Sequence, residues 1–247
     1  MHLLIFGVIN LAAAALSGAA GGGGGLVSLP LLVQLGLSPT AAIATSKFGG
    51  FGISAGSSLR FMRERLTERR PLIIFSIVGA VAAFGGSMLL VGFHTNQRLL
   101  QDVMGVTILV VGIPLLYVRN MGLERKERSL PVRTAGFVLL FLGLVLQAAL
   151  GGGVGSLQLI VLMGCFGMTA LVANATRRVM QLVVATISLA IFIAAGFVDF
   201  RYGAVGLVTS SIGGFLGAHL AIKKGNKFVI NLFAVTSAIL ALQLLWR

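Results

Sequence analysis

Acidic residues are scarce in this chain: six Asp and Glu stand against nineteen Lys and Arg in 247 residues, and charged residues of both signs make up only 10%. A soluble domain carries about 25%. With 57% hydrophobic residues, the composition excludes a soluble protein. A single cysteine, Cys165, lies in an apolar stretch; it excludes an internal disulfide and reads as a small apolar filler. No CxxC, HExxH or carboxylate cluster is present, so neither a metal site nor a cofactor is expected. No nucleophile–base pair stands out, which argues against an enzyme. The longest glycine run is not followed by Gly-Lys-Ser/Thr, which excludes a Walker phosphate loop. No basic segment precedes the apolar N-terminus, so it reads as retained structure rather than a secretory leader. Short alternating segments, the mark of a transmembrane β-barrel, are missing too.

What is present is apolar blocks of membrane length from end to end. The expectation is an all-α integral membrane protein embedded in a lipid bilayer. Full spans are expected at 38–59, 72–93, 103–118, 169–197, 202–222 and 228–246, each near the ~20 residues a helix needs to cross. Two stretches, 2–37 and 134–167, carry glycine clusters near their middles: "GGGGG" at Gly21–Gly25 and "GGGVG" at Gly151–Gly155.

The net charge of +13 is a topology signal and gives no reason to expect nucleic acid as a partner. Residues 60–70 hold five Arg, residues 119–133 five Lys or Arg, and residues 223–227 three Lys. The positive-inside rule places these loops in the cytoplasm, in the inner membrane of a prokaryote. Counting crossings from them sends both chain ends outside. It also makes 134–167 enter and leave on the cytoplasmic side, and 2–37 on the outer side. After the first glycines, residues 26–37 give only about 18 Å of helix, too short for a core of about 30 Å. Both stretches are therefore expected to be helical hairpins that dip to mid-membrane and return, with tips buried in protein or lining a wet cavity.

The two halves resemble each other. "GGGGLVSLPLLVQLG" (22–36) matches "LGGGVGSLQLIVLMG" (150–164), "ATSK" (44–47) matches "NATR" (174–177), and "FGGSML" (84–89) matches "IGGFLG" (212–217), at offsets of 128 to 130. One hairpin plus three crossings per half gives opposite orientations. The expected organisation is an N-terminal repeat over 1–118, a cytoplasmic linker over 119–133 and a C-terminal repeat over 134–247, two inverted repeats of the kind found in secondary transporters.

Three cations, Lys47, Arg177 and Arg178, fall inside spans, while all six carboxylates lie in loops or at span ends. Intramembrane cations are costly and point to function; without a carboxylate, they suit an anion. The short arm of each hairpin starts at mid-membrane, where free N–H groups and the helix dipole favour negative charge. Candidate binding residues are thus Lys47 and Arg177; Gly22, Gly23, Gly24 and Ser28 at one tip; and Gly152, Gly153 and Ser156 at the other. Thr45, Ser46, Asn174, Thr176 and Gln181 flank the cations. Arg178 is a further candidate that could instead reach backbone carbonyls at a hairpin end. His94 and His219, near span ends, read as interfacial or structural.

The segment "SGAAGGGGGLVSLPLLVQLGLSPTAAIATSKFGGFGISAGSSLRF" (17–61) resembles the amino-terminal motif of the sulfite exporter TauE/SafE family, also called the toluene sulfonate uptake permease family. The family pattern of a glycine-rich segment, Pro-Leu-Leu, Gly-x-x-Pro and Ala-x-Ala-Thr-Ser is met here by Gly21–Gly25, Pro30–Leu32, Gly36–Pro39 and Ala42–Ser46. The second half departs from it, with Gln158 for proline and "NATRR" for "ATSK". The resemblance implies a membrane carrier of a small sulfur-containing oxyanion such as sulfite, thiosulfate or an organosulfonate, working by alternating access. An anion channel for the same substrates and a non-catalytic membrane assembly protein are the alternatives. Which oxyanion, the direction of movement and the coupling ion are left open, as is a homodimer.

Overall fold

A computed structural model of the chain describes residues 2–21, 24–67, 69–93, 121–150 and 154–245. The expected span at 103–118, His94, and the glycine candidates Gly22, Gly23, Gly152 and Gly153 lie outside the described residues. Those described form helices and their connections: α1 (His2–Ala20), α2 (Gly24–Gln34), α3 (Pro39–Arg63), α4 (Arg69–Phe93), α5 (Leu130–Leu150), α6 (Gly155–Gly164), α7 (Ala170–Ala194) and α8 (Phe200–Leu245). The protein is an all-α integral membrane protein. Five of these helices are long and apolar enough to cross a bilayer. The row Ile73, Ile77, Val81, Phe84 and Met88 on α4 is exposed and recurs at helical spacing, as a lipid-facing stripe should.

Local chemistry sets the boundaries. Ser38 accepts from the Ala41 amide at 3.3 Å and Pro39 follows, a side-chain cap with proline in the first turn of α3. Asp199 Oδ1 accepts from the amides of Arg201 at 2.8 Å and Tyr202 at 3.2 Å to open α8. The short helices α2 and α6 close on glycines in the left-handed region, Gly36 at φ 96° and Gly167 at φ 67°, where a side chain would be strained. The spans expected at 202–222 and 228–246 prove to be two arms of α8, broken at Gly225 with φ 76° and ψ −172°.

The starts of α2 and α6, the starts of α3 and α7, and Gly36 and Gly167 all stand 131 residues apart. The sequence matches ran at 128 to 130. Glycine and leucine are so common here that a match on them slips by a residue or two, whereas a turn glycine fixes a helix end.

Close packing by glycine ties α1, α3 and α8 together. A Cβ on Gly214 would stand 2.5 Å from the Ile53 carbonyl of α3, and one on Gly18 would stand 2.7 Å from the Gly214 carbonyl. Helices in lipid associate largely through such small-residue contacts. Along these seams α1 and α3 run parallel to α8: Asn10 donates to Ser210 Oγ at 2.7 Å, and Arg60 Nε to His219 Nδ1 at 3.3 Å. α7 runs antiparallel to α3, since Lys47 lies by Phe192 near the end of α7 and Thr45 accepts from the Asp199 amide at 2.9 Å.

The described basic segments gather at one end of the bundle. Lys126 N donates to Gly167 O at 3.0 Å and Ala170 N to Gly122 O at 2.8 Å. Asn226, beside the kink of α8, accepts from Leu171 N at 2.9 Å and donates to Leu123 O at 3.3 Å. The hairpin α1–α2 enters from the opposite end. Its long arm goes deeper than the expected half-crossing: a Cβ on Gly217 would stand 2.8 Å from Ala19 N, and Gly217 lies only about 12 Å, eight residues, before the kink.

Candidate anion site

A helix ending inside the bundle leaves carbonyls without partners, and in hydrocarbon each must be satisfied by protein. α1 stops at Ala20, and Gly21, at φ 82°, returns its amide to Ser17 O at 2.9 Å. Side chains of α7 reach three carbonyls of this last turn. Asn174 Nδ2 donates to Gly18 O at 3.1 Å and Ala19 O at 3.2 Å. Arg178 Nη2 donates to Ser17 O, and to Ser17 Oγ at 3.0 Å.

The other hairpin is held the same way from the other half. Lys47 Nζ on α3 donates to the carbonyls of Gln147 at 2.7 Å and Ala148 at 2.9 Å, in the last turn of α5. Lys47 and Arg178 each stand eight residues after the first residue of their helix. Each half thus supplies the cation that closes the other half's broken helix.

Arg177 has a different environment. Its Nε donates to Gln158 Oε1 at 3.2 Å. Its guanidinium occupies the place a side chain on Gly155 would take, so that a Cβ there would stand 2.9 Å from Arg177 Cζ. Gln158 Nε2 in turn donates to Gln147 Oε1. A continuous chain of contacts therefore runs from Lys47 through Gln147 and Gln158 to Arg177. Arg177 is only 3% exposed, and its Nη1 has no partner. Also buried and unpartnered are Arg178 Nε, Asn174 Oδ1, Gln181 Oε1 and Thr176 Oγ1. Among the described residues, no acidic side chain pairs with Lys47, Arg177 or Arg178; the ion pair seen is Arg60–Glu64 at 2.8 Å. Among the described residues, nothing neutralises the positive charge of the site.

The remaining candidates divide. Asn174, Arg178 and Gln181 share one face of α7 by spacing, with Arg177 beside them and Ser156 buried in the first turn of α6. Thr176, two residues beyond Asn174, projects from the other side of the helix. Ser28 donates to Asn10 Oδ1 at 2.7 Å. Ser46 returns to its own helix at Ile43 O, 2.7 Å, and Thr45 serves the start of α8. Gly24 opens α2. The sequence reading missed Gln147, Gln158, Ser17 and Asn10. A polar residue in an apolar run was the available signal, since each of these lies inside one.

The chain matches the protein family described as sulfite exporter TauE/SafE over residues 5–244. It belongs to that family. It is similar to the probable membrane transporter protein YfcA of Escherichia coli K12, 26% identical over 230 residues, covering 90% of this chain and 82% of the relative. A probable membrane transporter protein of Haemophilus influenzae is 25% identical over 223 residues, with 90% and 86% covered. A third, ORF9 of Sinorhizobium sp, is 24% identical over 248 residues, with 99% and 93% covered. No solved structure matches. This TauE/SafE member is a multi-pass membrane transporter.

Proposed function

We propose that this TauE/SafE protein is a secondary carrier of a small sulfur-containing oxyanion, and that Arg177 is its principal anion ligand. The observation that carries the reading is the buried Arg177 Nη1, a charged donor with no partner at the mouth of a broken helix. Leaving a buried charged donor unsatisfied costs more than the ~1–3 kcal/mol of a neutral group, and an oxyanion supplies both the missing acceptor and the missing charge. Backbone N–H groups in the first turns of α2 and α6, with Ser156, add donors. Lys47 and Arg178 contribute field at the site while holding the hairpin ends.

The two halves are related by inversion, and alternating access comes from one half rocking against the other. Each half's cation grips the other's hairpin, so rocking loads both grips at once. The basic end faces the cytoplasm of a bacterial inner membrane. The deciding experiment is flux in proteoliposomes with labelled thiosulfate and sulfoacetate. A carrier saturates and shows counterflow, whereas flux that rises without saturation and lacks counterflow contradicts the reading.

A further inference from the structure

Hydroxyls on apolar helices commonly return to their own backbone. Ser46, Thr209 and Ser211 do so here, to Ile43 O at 2.7 Å, Val205 O at 2.8 Å and Leu207 O at 2.8 Å. Ser54 and Ser58 of α3 do not. They are 0% and 2% exposed, and neither Oγ has a partner. Ser57 between them donates to Gly214 O of α8 at 2.9 Å. One side of α3 is thus committed to α8, where Gly52 also abuts Leu207, while Ser54 and Ser58 lie on the other.

Helical spacing identifies what that other side meets. Ser54 and Ser58 follow Lys47 by seven and eleven residues, so the three form one row. Lys47 Nζ stands 5.7 Å from the ring centroid of Phe192 on α7. Because the helices are antiparallel, seven and eleven residues back from Phe192 lead to Ala185 and Gln181, again one row. Gln181 Oε1 is buried and unpartnered, and Arg177 with its free Nη1 lies one turn further. By this spacing, the unsatisfied atoms of Ser54, Ser58, Gln181 and Arg177 converge on the interface between Lys47 and Arg177. Nothing in the packing of α3 on α8 requires them.

We propose that Ser54 and Ser58, with Gln181, line the passage through which a small oxyanion moves between the two hairpin ends. The hydroxyls donate to its oxygens as it leaves Arg177. This rests on the anion-carrier reading above and adds a path and two ligands to it.

The test is thiol accessibility in the full chain. Ser54→Cys, Ser58→Cys and, as control, Ser57→Cys are made in a Cys165→Ala background and treated with an anionic sulfonatoethyl methanethiosulfonate or its cationic trimethylammonium counterpart. Thiols at 54 and 58 are expected to react with the anionic reagent about tenfold faster than with the cationic one, as a positive cleft concentrates anions. They are expected to slow when sulfoacetate is added, while position 57 stays inert. Thiols at 54 and 58 as inert as at 57, or equally reactive to both reagents, overturn the proposal. Adding Arg177→Gln separates the two claims. If added sulfoacetate still slows the thiols at 54 and 58 without Arg177, the passage stands and the Arg177 site falls. If the thiols are inert yet flux still requires Arg177, the passage falls and the site stands. Ser54→Ala and Ser58→Ala give a second readout free of thiol chemistry: KM for sulfoacetate flux rises if the hydroxyls bind it, and an unchanged KM overturns their role.

Discussion

Lys47 and Arg177 are joined through Gln147: its carbonyl accepts from the lysine at 2.7 Å, and its side chain accepts from Gln158, which holds the arginine. The two cations belong to different halves of the chain, and the link makes the end of α5 common to both. Lys47 therefore has a duty to the fold that Arg177 does not share.

Lys47→Met leaves the Gln147 and Ala148 carbonyls unpaired inside the bundle. Loss of charged hydrogen bonds costs about 1.5–3 kcal/mol each, about 3–6 kcal/mol for the two, so the melting temperature in detergent should fall by at least about 6 °C and by up to about 20 °C. Lys47→Arg, which still offers donors, should recover most of it. A Lys47→Met protein that melts with the parent would show that the grip on α5 is not structural.

Gly214 lies where α1, α3 and α8 cross, and a Cβ there meets the Ile53 carbonyl at 2.5 Å. Backbone cannot yield as a flexible side chain can, and overpacking of this kind costs about 1–3 kcal/mol. Gly214→Val should lower both yield and melting temperature. Gly50, also on α3, has open space around it. Gly50→Ala should stabilise by up to about 1 kcal/mol through helix propensity. Equal effects at the two glycines in a thermal melt would count against the three-helix contact.

The proposed orientation puts the basic end in the cytoplasm. Lys126→Cys in a Cys165→Ala background should react with a membrane-impermeant maleimide in inside-out vesicles and not in intact cells. The reverse pattern would invert the topology.

Much of the fold was legible because hydropathy and helix length are local properties. The helices bearing Lys47 and Arg177, and the glycine breaks at Gly21 and Gly155, follow from composition along the chain, although α3 with Lys47 is not among the five helices apolar enough to cross by that measure. The partners of the cations were not legible. The sequence has no carboxylate inside a span to pair with Lys47, but it is silent on carbonyls, since every residue has one and only tertiary packing frees those of Gln147 and Ser17. The depth of α1 was hidden for the same reason: it depends on how far α1 slides along the glycine seam of α8, through Gly18 and Gly217. Asn10 and Gln158 were visible as polar residues in apolar runs, yet each acquires its role from an element far away in sequence, Gly206 to Ser210 for one and Arg177 for the other.

The central claim is tested most directly by anion-dependent melting of the purified protein against sulfite, thiosulfate, sulfate, sulfoacetate and taurine, with the parent beside Arg177→Gln. A ligand that binds only the native state stabilises by about 2.7 kcal/mol at a hundredfold excess over its Kd. At least one of these anions should raise the parent's melting temperature saturably and leave Arg177→Gln unmoved. Stabilisation of Arg177→Gln equal to that of the parent by the best anion would contradict the account.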